Sequence, residues 1–213
     1  MQNALKISLD NIGHYLNTKV PLQLQILTER VSAKVLAETS ATLENSTGSN
    51  GVTQTTAFLA DSLQGTDTNP NQDDLTLYIN LTDINQMSFT GKAVAGKYDF
   101  VSILTHEILH GLAFTGNLDS NGAKTPFDAL VSMQNGSPVF TGLHTQALNG
   151  NKPIALVPSS AGNGSAYYHL TLDNDLMSDT FGKGEVRSIS AIDLAMLEDL
   201  GLSIIGVAPA TVI

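Results

Sequence analysis

The sequence predicts an α+β fold, and three features carry that expectation. Two stretches hold apolar residues at helical intervals: DFVSILTHEILHGLAF, from Asp99 to Phe114, and SISAIDLAMLEDLG, ending at Gly201. Two others, PLQLQILTE around Leu22 to Leu27 and LTLYINLT from Leu75 to Thr82, alternate apolar and polar side chains as half-buried strands do. The long segment from Asn117 to Gly164 shows little periodicity, with only PVFTG and PIALV as brief strand candidates.

Taken in order, the first 50 residues offer the Leu22 to Leu27 strand, opened by Pro21. Arg30 to Leu43 reads as strand and turn, although its helix formers compete, and ENSTGSNG, from Glu44 to Gly51, reads as a surface loop. TTAFLADSLQG places Ala57, Leu59 and Leu63 along a short helix closed by Gly65. The acidic turn DTNPNQDD, Asp67 to Asp74, precedes the strand from Leu75, and QMSFTG adds a short strand. Asp99 suits the N-cap of the first long helix, while Ser190 followed by Asp193 suits that of the second.

Composition narrows the function classes. With 213 residues, 42% apolar and 14% charged, the chain has enough material for one core. Its net charge of −10 lacks the basic patch that a nucleic acid or an anionic membrane surface requires. No apolar run reaches the roughly 18 residues of a membrane-spanning helix, and Met1 to Asp10 lacks the pattern of a secretory signal. Without cysteine, thiol chemistry is excluded, and any metal site must draw on His, Asp or Glu. Gly162-Asn163-Gly164 lacks the Lys and helix context of a phosphate loop.

Inside the first long helix stands His106-Glu107-Ile108-Leu109-His110. Residues four apart share a helix face, so both imidazoles reach one metal ion, with the Glu107 carboxylate beside the open coordination position. At this chain's His and Glu frequencies the pattern arises by chance about once in three hundred such chains, so coincidence is the weaker account. A catalytic zinc takes three protein ligands and keeps one position for water. His14 lies far upstream, and His144 and His169 both lie downstream. Position alone does not choose between them, though His169, after two tyrosines and before an acidic turn, better suits an ordered pocket wall.

HEILHGLAF, the distant YYHL, the Leu176-Met177 turn and SISAIDLAMLEDLGL together resemble the metzincin clan of zinc endopeptidases, most closely its leishmanolysin-like and related bacterial secreted members. The resemblance spans about Tyr98 to Leu202. It implies a metzincin-like zincin fold: a twisted mixed sheet with the zinc helix in an N-terminal lobe (residues 1–116), then an irregular C-terminal lobe (117–213) ending in a helix. It also implies zinc on His106, His110 and His169, Glu107 as general base, and Met177 as the Met-turn methionine beneath the metal. Tyr167 or Tyr168 becomes a candidate to stabilise the transition state. The expected activity is hydrolysis of protein or peptide substrates outside the cell, an extended substrate pairing with a sheet edge formed by Leu75 to Thr82 or by QMSF. Flanking domains are left open.

The common metzincin signature has Gly and a third ligand where this chain has Ala113 and Gly116. The leishmanolysin-like arrangement accommodates the second difference through an excursion, here 59 residues from His110 to His169. The first predicts a zinc helix that runs on and breaks at Gly116. The Asp67 to Asp73 stretch starts like an EF-hand loop but lacks its central Gly and closing Glu, which leaves a looser calcium site on Asp67, Asp73 or Asp74, and a weaker one on Asp173 and Asp175. Two rivals to a protease are a catalytically silent, zinc-stabilised binding or adhesion module, and a hydrolase of small glycan-linked or amidated substrates.

Overall fold

A computed structural model describes residues 1–30, 35–118, 122–159 and 166–205. Part of the ambiguous Arg30 to Leu43 segment and the whole of Gly162-Asn163-Gly164 lie outside them. The fold is mixed α+β, with small sheets and six α-helices among the described residues. In chain order these are α1 (Gln2–Gly13), β1 (Leu24–Glu29), β2 (Ala37–Ala41), β3 (Leu43–Asn45), β4 (Gln54–Thr56), α2 (Ala57–Gln64), β5 (Leu75–Asn80), β6 (Met87–Ser88), β7 (Tyr98–Asp99) and α3 (Phe100–Leu112). There follow α4 (Pro126–Ala129), β8 (Val131–Gln134), β9 (Ser137–Phe140), α5 (Leu143–Leu148), β10 (Ile154–Ala155) and α6 (Ala191–Leu200). No helix among the described residues is long and apolar enough to cross a membrane.

Helix α3 is the axis of the molecule. Phe100, Leu104, Ile108 and Leu112, four residues apart, are fully buried and form one stripe, while further apolar residues cover most of the rest. Asp99 starts the helix by accepting from the Ser102 amide at 2.9 Å. The helix packs on a sheet of order β1-β5-β2, in which β5 runs parallel to β1 (Leu24 opposite Leu75) and antiparallel to β2 (Ala37 opposite Ile79). Leu75, Leu77 and Ile79 point into the core with the period of two that alternation predicts. Gly111 lets the helix approach this sheet closely, since a Cβ there would overlap the Leu75 side chain.

Because β5 is paired along both sides, it cannot supply an open sheet edge, and QMSF yields only the two-residue β6, paired with β7. The open edge beside α3 belongs to β2. A second correction concerns the end of α3, which stops at Leu112 rather than at Gly116. Ala113 has a φ of −165°, extended backbone that any residue adopts, so no glycine is required there. Gly116 is needed for closeness instead: a Cβ at that position would collide with the Asp128 carboxylate.

Other elements escape the sequence pattern. The polar segment Gln2–Gly13 is a helix whose small face, Ala4 and Ser8 with Ile12, packs on α3, and Ser8 Oγ donates toward the Val101 carbonyl at 3.1 Å. Glu44 and Asn45 belong to β3, not to the loop expected there. In the low-periodicity segment, β8 and β9 form a hairpin around Asn135-Gly136, both at positive φ (51° and 81°), with β10 added to β9. Helix α6 begins with the expected Ser190–Asp193 capping box and ends at Gly201 (φ 111°).

Gly111→Ala is expected to destabilise the fold by about 1–3 kcal/mol, the usual cost of overpacking a close contact. Urea unfolding monitored by circular dichroism measures it, and an unchanged midpoint would show that α3 and β5 separate without strain.

Candidate metal centre

His106 and His110 project from one face of α3, and His169 meets them from the C-terminal half of the chain. Their Nε2 atoms lie 3.0 Å (His106 to His110), 3.1 Å (His110 to His169) and 3.2 Å (His169 to His106) apart. Among the described residues this is the one group of three or more His, Asp or Glu with ligand atoms all within 4.8 Å of one another. The structure thereby chooses His169 over His144, which sits on α5 facing Glu198 at 3.2 Å, and over His14, at the end of α1.

The supporting hydrogen bonds fix what these nitrogens offer. His106 Nδ1 donates to the Leu176 carbonyl at 2.8 Å and His110 Nδ1 to the Phe114 carbonyl at 2.7 Å, since a carbonyl can only accept. In a neutral ring the Nε2 then carries a lone pair, so two lone pairs face each other across 3.0 Å with no proton to bridge them. Burial first, then the neighbouring rings, lowers the His106 pKa to about 3 and holds that of His110 well below its ordinary value, which disfavours relief by protonation. A cation relieves the repulsion. Nitrogens about 2.05 Å from a tetrahedral ion stand roughly 3.3 Å apart, close to the spacing here. The donor set therefore fits a metal ion, with a fourth position left for another ligand.

The backbone at His169 is built into a local circuit. The Val157 amide donates to the His169 carbonyl at 2.9 Å, and the Leu170 amide to the Met177 carbonyl at 2.8 Å. The Met177 amide donates to Asp175 Oδ1 at 2.9 Å, and the Met177 side chain is fully buried. Leu176, which holds His106, is thus part of the same turn. Phe181 packs edge-on against His106 at 5.3 Å, with the Arg187 guanidinium over the Phe181 ring at 4.7 Å.

Glu107 is nine-tenths buried. Its Oε2 and its own carbonyl lie 2.9 and 2.8 Å from Thr39 Oγ1, a single hydroxyl on the edge strand β2. Burial, the largest influence, raises the Glu107 pKa to about 7; the Thr39 hydrogen bond opposes this, and Glu38 adds to it. Thr39 carries no motif, and sheet order alone brings it here.

The tyrosines differ in their engagements. Tyr168 Oη accepts from the Leu118 amide at 2.6 Å and lies 3.3 Å from Asp128 Oδ1, so its hydroxyl is tied to the loop after α3. Tyr167, half-buried, takes a φ of 68°, and its amide donates to Val157. Among the acidic candidates, Asp67 and Asp74 both bond Gln23, away from the histidines; the contact described for Asp73 is its carbonyl accepting from Thr42 Oγ1 at 2.6 Å. Asp173 is exposed, whereas Asp175 turns inward to Met177 and Asp193, so these two do not face a shared site.

His169→Ala is expected to weaken metal binding by more than the roughly 10–100-fold that loss of a supporting hydrogen bond costs, measured by competition with a chromophoric chelator. His144→Ala serves as the control and should bind as tightly as the unaltered chain; equal losses in both would break the assignment. No family model, curated protein or solved structure is significantly similar to the chain, so the centre's role rests on its own chemistry.

Proposed function

We propose that the chain is a zinc-dependent endopeptidase of the metzincin type, acting on protein or peptide substrates. One observation carries the reading: three imidazole nitrogens converge within 3.2 Å on the helix face whose next residue is a buried carboxylate, Glu107. An all-imidazole set with an open fourth position suits zinc, and a site of purely structural purpose has no need of a base beside that opening. The sequence resemblance supports the same reading and alone carries the extracellular setting.

Bound zinc supplies Lewis acidity toward a carbonyl oxygen and toward water. The residues do the remainder. Glu107 accepts the proton of the water that attacks the scissile carbonyl carbon and delivers it to the departing amine nitrogen. Thr39 holds the carboxylate from β2, so the general base is oriented by the strand that presents an open edge. An extended peptide adds antiparallel to that edge, which aligns its scissile bond with α3. Tyr167, whose hydroxyl has no hydrogen bond among the described residues while that of Tyr168 has, becomes the better candidate to donate to the developing oxyanion.

Zinc-loaded protein should cleave unstructured casein, and Glu107→Ala should lose about 10²–10⁴-fold in kcat while keeping its zinc. A zinc-loaded chain inert toward casein and toward a broad peptide library would instead leave the silent binding module standing. Thr39→Val should lower kcat roughly tenfold with metal content unchanged, the scale on which supporting hydrogen bonds act. Full activity in that variant would detach β2 from the general base.

A further inference from the structure

Away from the histidines, four carboxylates gather where α2, β3 and the loop from Gly65 to Asp74 meet: Glu44, Asp61, Asp67 and Asp74. Their hydrogen bonds form one network. Gln23 donates its amide to Asp74 Oδ2 at 2.7 Å and its side chain to Asp67 Oδ2 at 2.7 Å. Thr68 donates its amide (3.0 Å) and hydroxyl (2.7 Å) to Asp61 Oδ1, and Asn69 donates its side chain to Glu44 Oε1 at 2.8 Å and its amide to Asp67 Oδ1 at 3.0 Å. None of the ion pairs among the described residues reaches these four groups.

What the network leaves over points to a ligand. Asp61 and Asp74 are each only 1% exposed, yet among the described residues Asp61 Oδ2 and Asp74 Oδ1 have no partner. Asn69 Oδ1 is also buried and unpaired, and its identity as the oxygen follows from its amide nitrogen donating to Glu44. Each of these residues spends one polar atom on holding the loop and keeps one oxygen free. Buried polar atoms without partners are uncommon in native folds, and ionised ones are the most costly. Three oxygens and no donor constitute a request for a hard cation.

We propose that a calcium ion binds here, taken up by the Asp61 and Asp74 carboxylates and the Asn69 amide oxygen, with Glu44 and Asp67 adding negative charge around it. The acidic groups are not drawn in as tightly as the histidines are. That spread suits a site which completes its six to eight oxygens with water and tolerates irregular geometry, as calcium does and magnesium does not. Burial, and then Asp61, Asp67 and Glu44, push the Asp74 pKa up to about 6 against the Gln23 hydrogen bond, so the carboxylate is available to a cation above that pH. The ion fastens the loop to α2 immediately before Leu75, the residue on which Gly111 of α3 rests. Calcium therefore secures the sheet under the metal-binding helix without entering the reaction.

The test is thermal unfolding of the full chain at pH 7.5, stripped of metal, given one equivalent of zinc and then titrated with CaCl₂. At a hundredfold excess over the dissociation constant the midpoint should rise by roughly 5–10 °C. The isosteric Asp61→Asn/Asp74→Asn variant should melt at or above the calcium-free wild type, because repulsion is relieved, and should ignore calcium. A flat wild-type titration up to ~10 mM CaCl₂, about tenfold above the ~1 mM weak end of extracellular sites, overturns the proposal. So does an undiminished response in the variant. The wild-type titration decides even if the variant does not fold, and cleavage of casein plays no part in the readout.

Discussion

Two lone pairs 3.0 Å apart and a third nitrogen within 3.2 Å of both form a contact that no fold would keep for its own sake, and much of the architecture serves to impose it. The termination of α3 is the clearest case. In a continuing helix the Phe114 carbonyl would point away from His110, toward the residues ahead of it. Because the helix stops at Leu112, that carbonyl turns back and accepts from His110 Nδ1. The end of the helix and the tautomer of His110 are therefore one decision. His106 depends in the same way on Leu176, whose turn is bound to the residue after His169.

The turn is in turn fastened to α6 through acid groups. Asp193 caps its own helix through Ser190 and faces Asp175, which holds the Met177 amide. Burial, and next the Asp175 charge, raise the Asp193 pKa well above its ordinary value. With Asp193 holding its proton, the two acid groups stand together where two carboxylates would repel. The stabilisation is present at low pH and is lost as pH rises through the raised folded pKa of Asp193. Asp175 thus serves geometry, which is why it is not free to bind a second cation with Asp173.

Local chemistry made the long elements legible. Asp99 and Ser190 cap the helices they announce, Gly65 and Gly201 close theirs, and the alternation of Leu75, Leu77 and Ile79 is the inward face of β5. His106 and His110 could be paired from helix geometry, whereas His169 could be preferred over His144 only on its neighbouring residues and on the resemblance until the structure brought the three together. Asn135-Gly136 was a readable hairpin signal hidden in a segment that looked uniformly irregular. Helix α1 gave no such signal, having no side-chain cap and burying mostly small residues. Thr39, Glu44 and Asp61 were illegible for a deeper reason: what brings each to its partner is the order of strands in a sheet or the path of a loop, and neither has a local pattern.

The 59-residue excursion between the second and third histidines shows what such a path can accomplish. Its hairpin β8–β9 carries β10, whose continuation pairs Leu156 with Leu170 and gives the Val157 amide to His169, so the third nitrogen is delivered by backbone pairing begun far from it. Both ends of the excursion meet at one buried carboxylate, Asp128. It accepts from the Asn117 amide at 2.9 Å just past α3, from the Thr125 amide at 2.9 Å at its own helix start, and stands 3.3 Å from the hydroxyl of Tyr168, next to His169. Gly116 is small because that carboxylate occupies the space a side chain would take. A loop of this length would ordinarily leave its ends free to drift apart. Here one side chain ties the exit of α3 to the residue preceding His169, so the distance that matters at the site is set across two hydrogen bonds and not along the intervening chain.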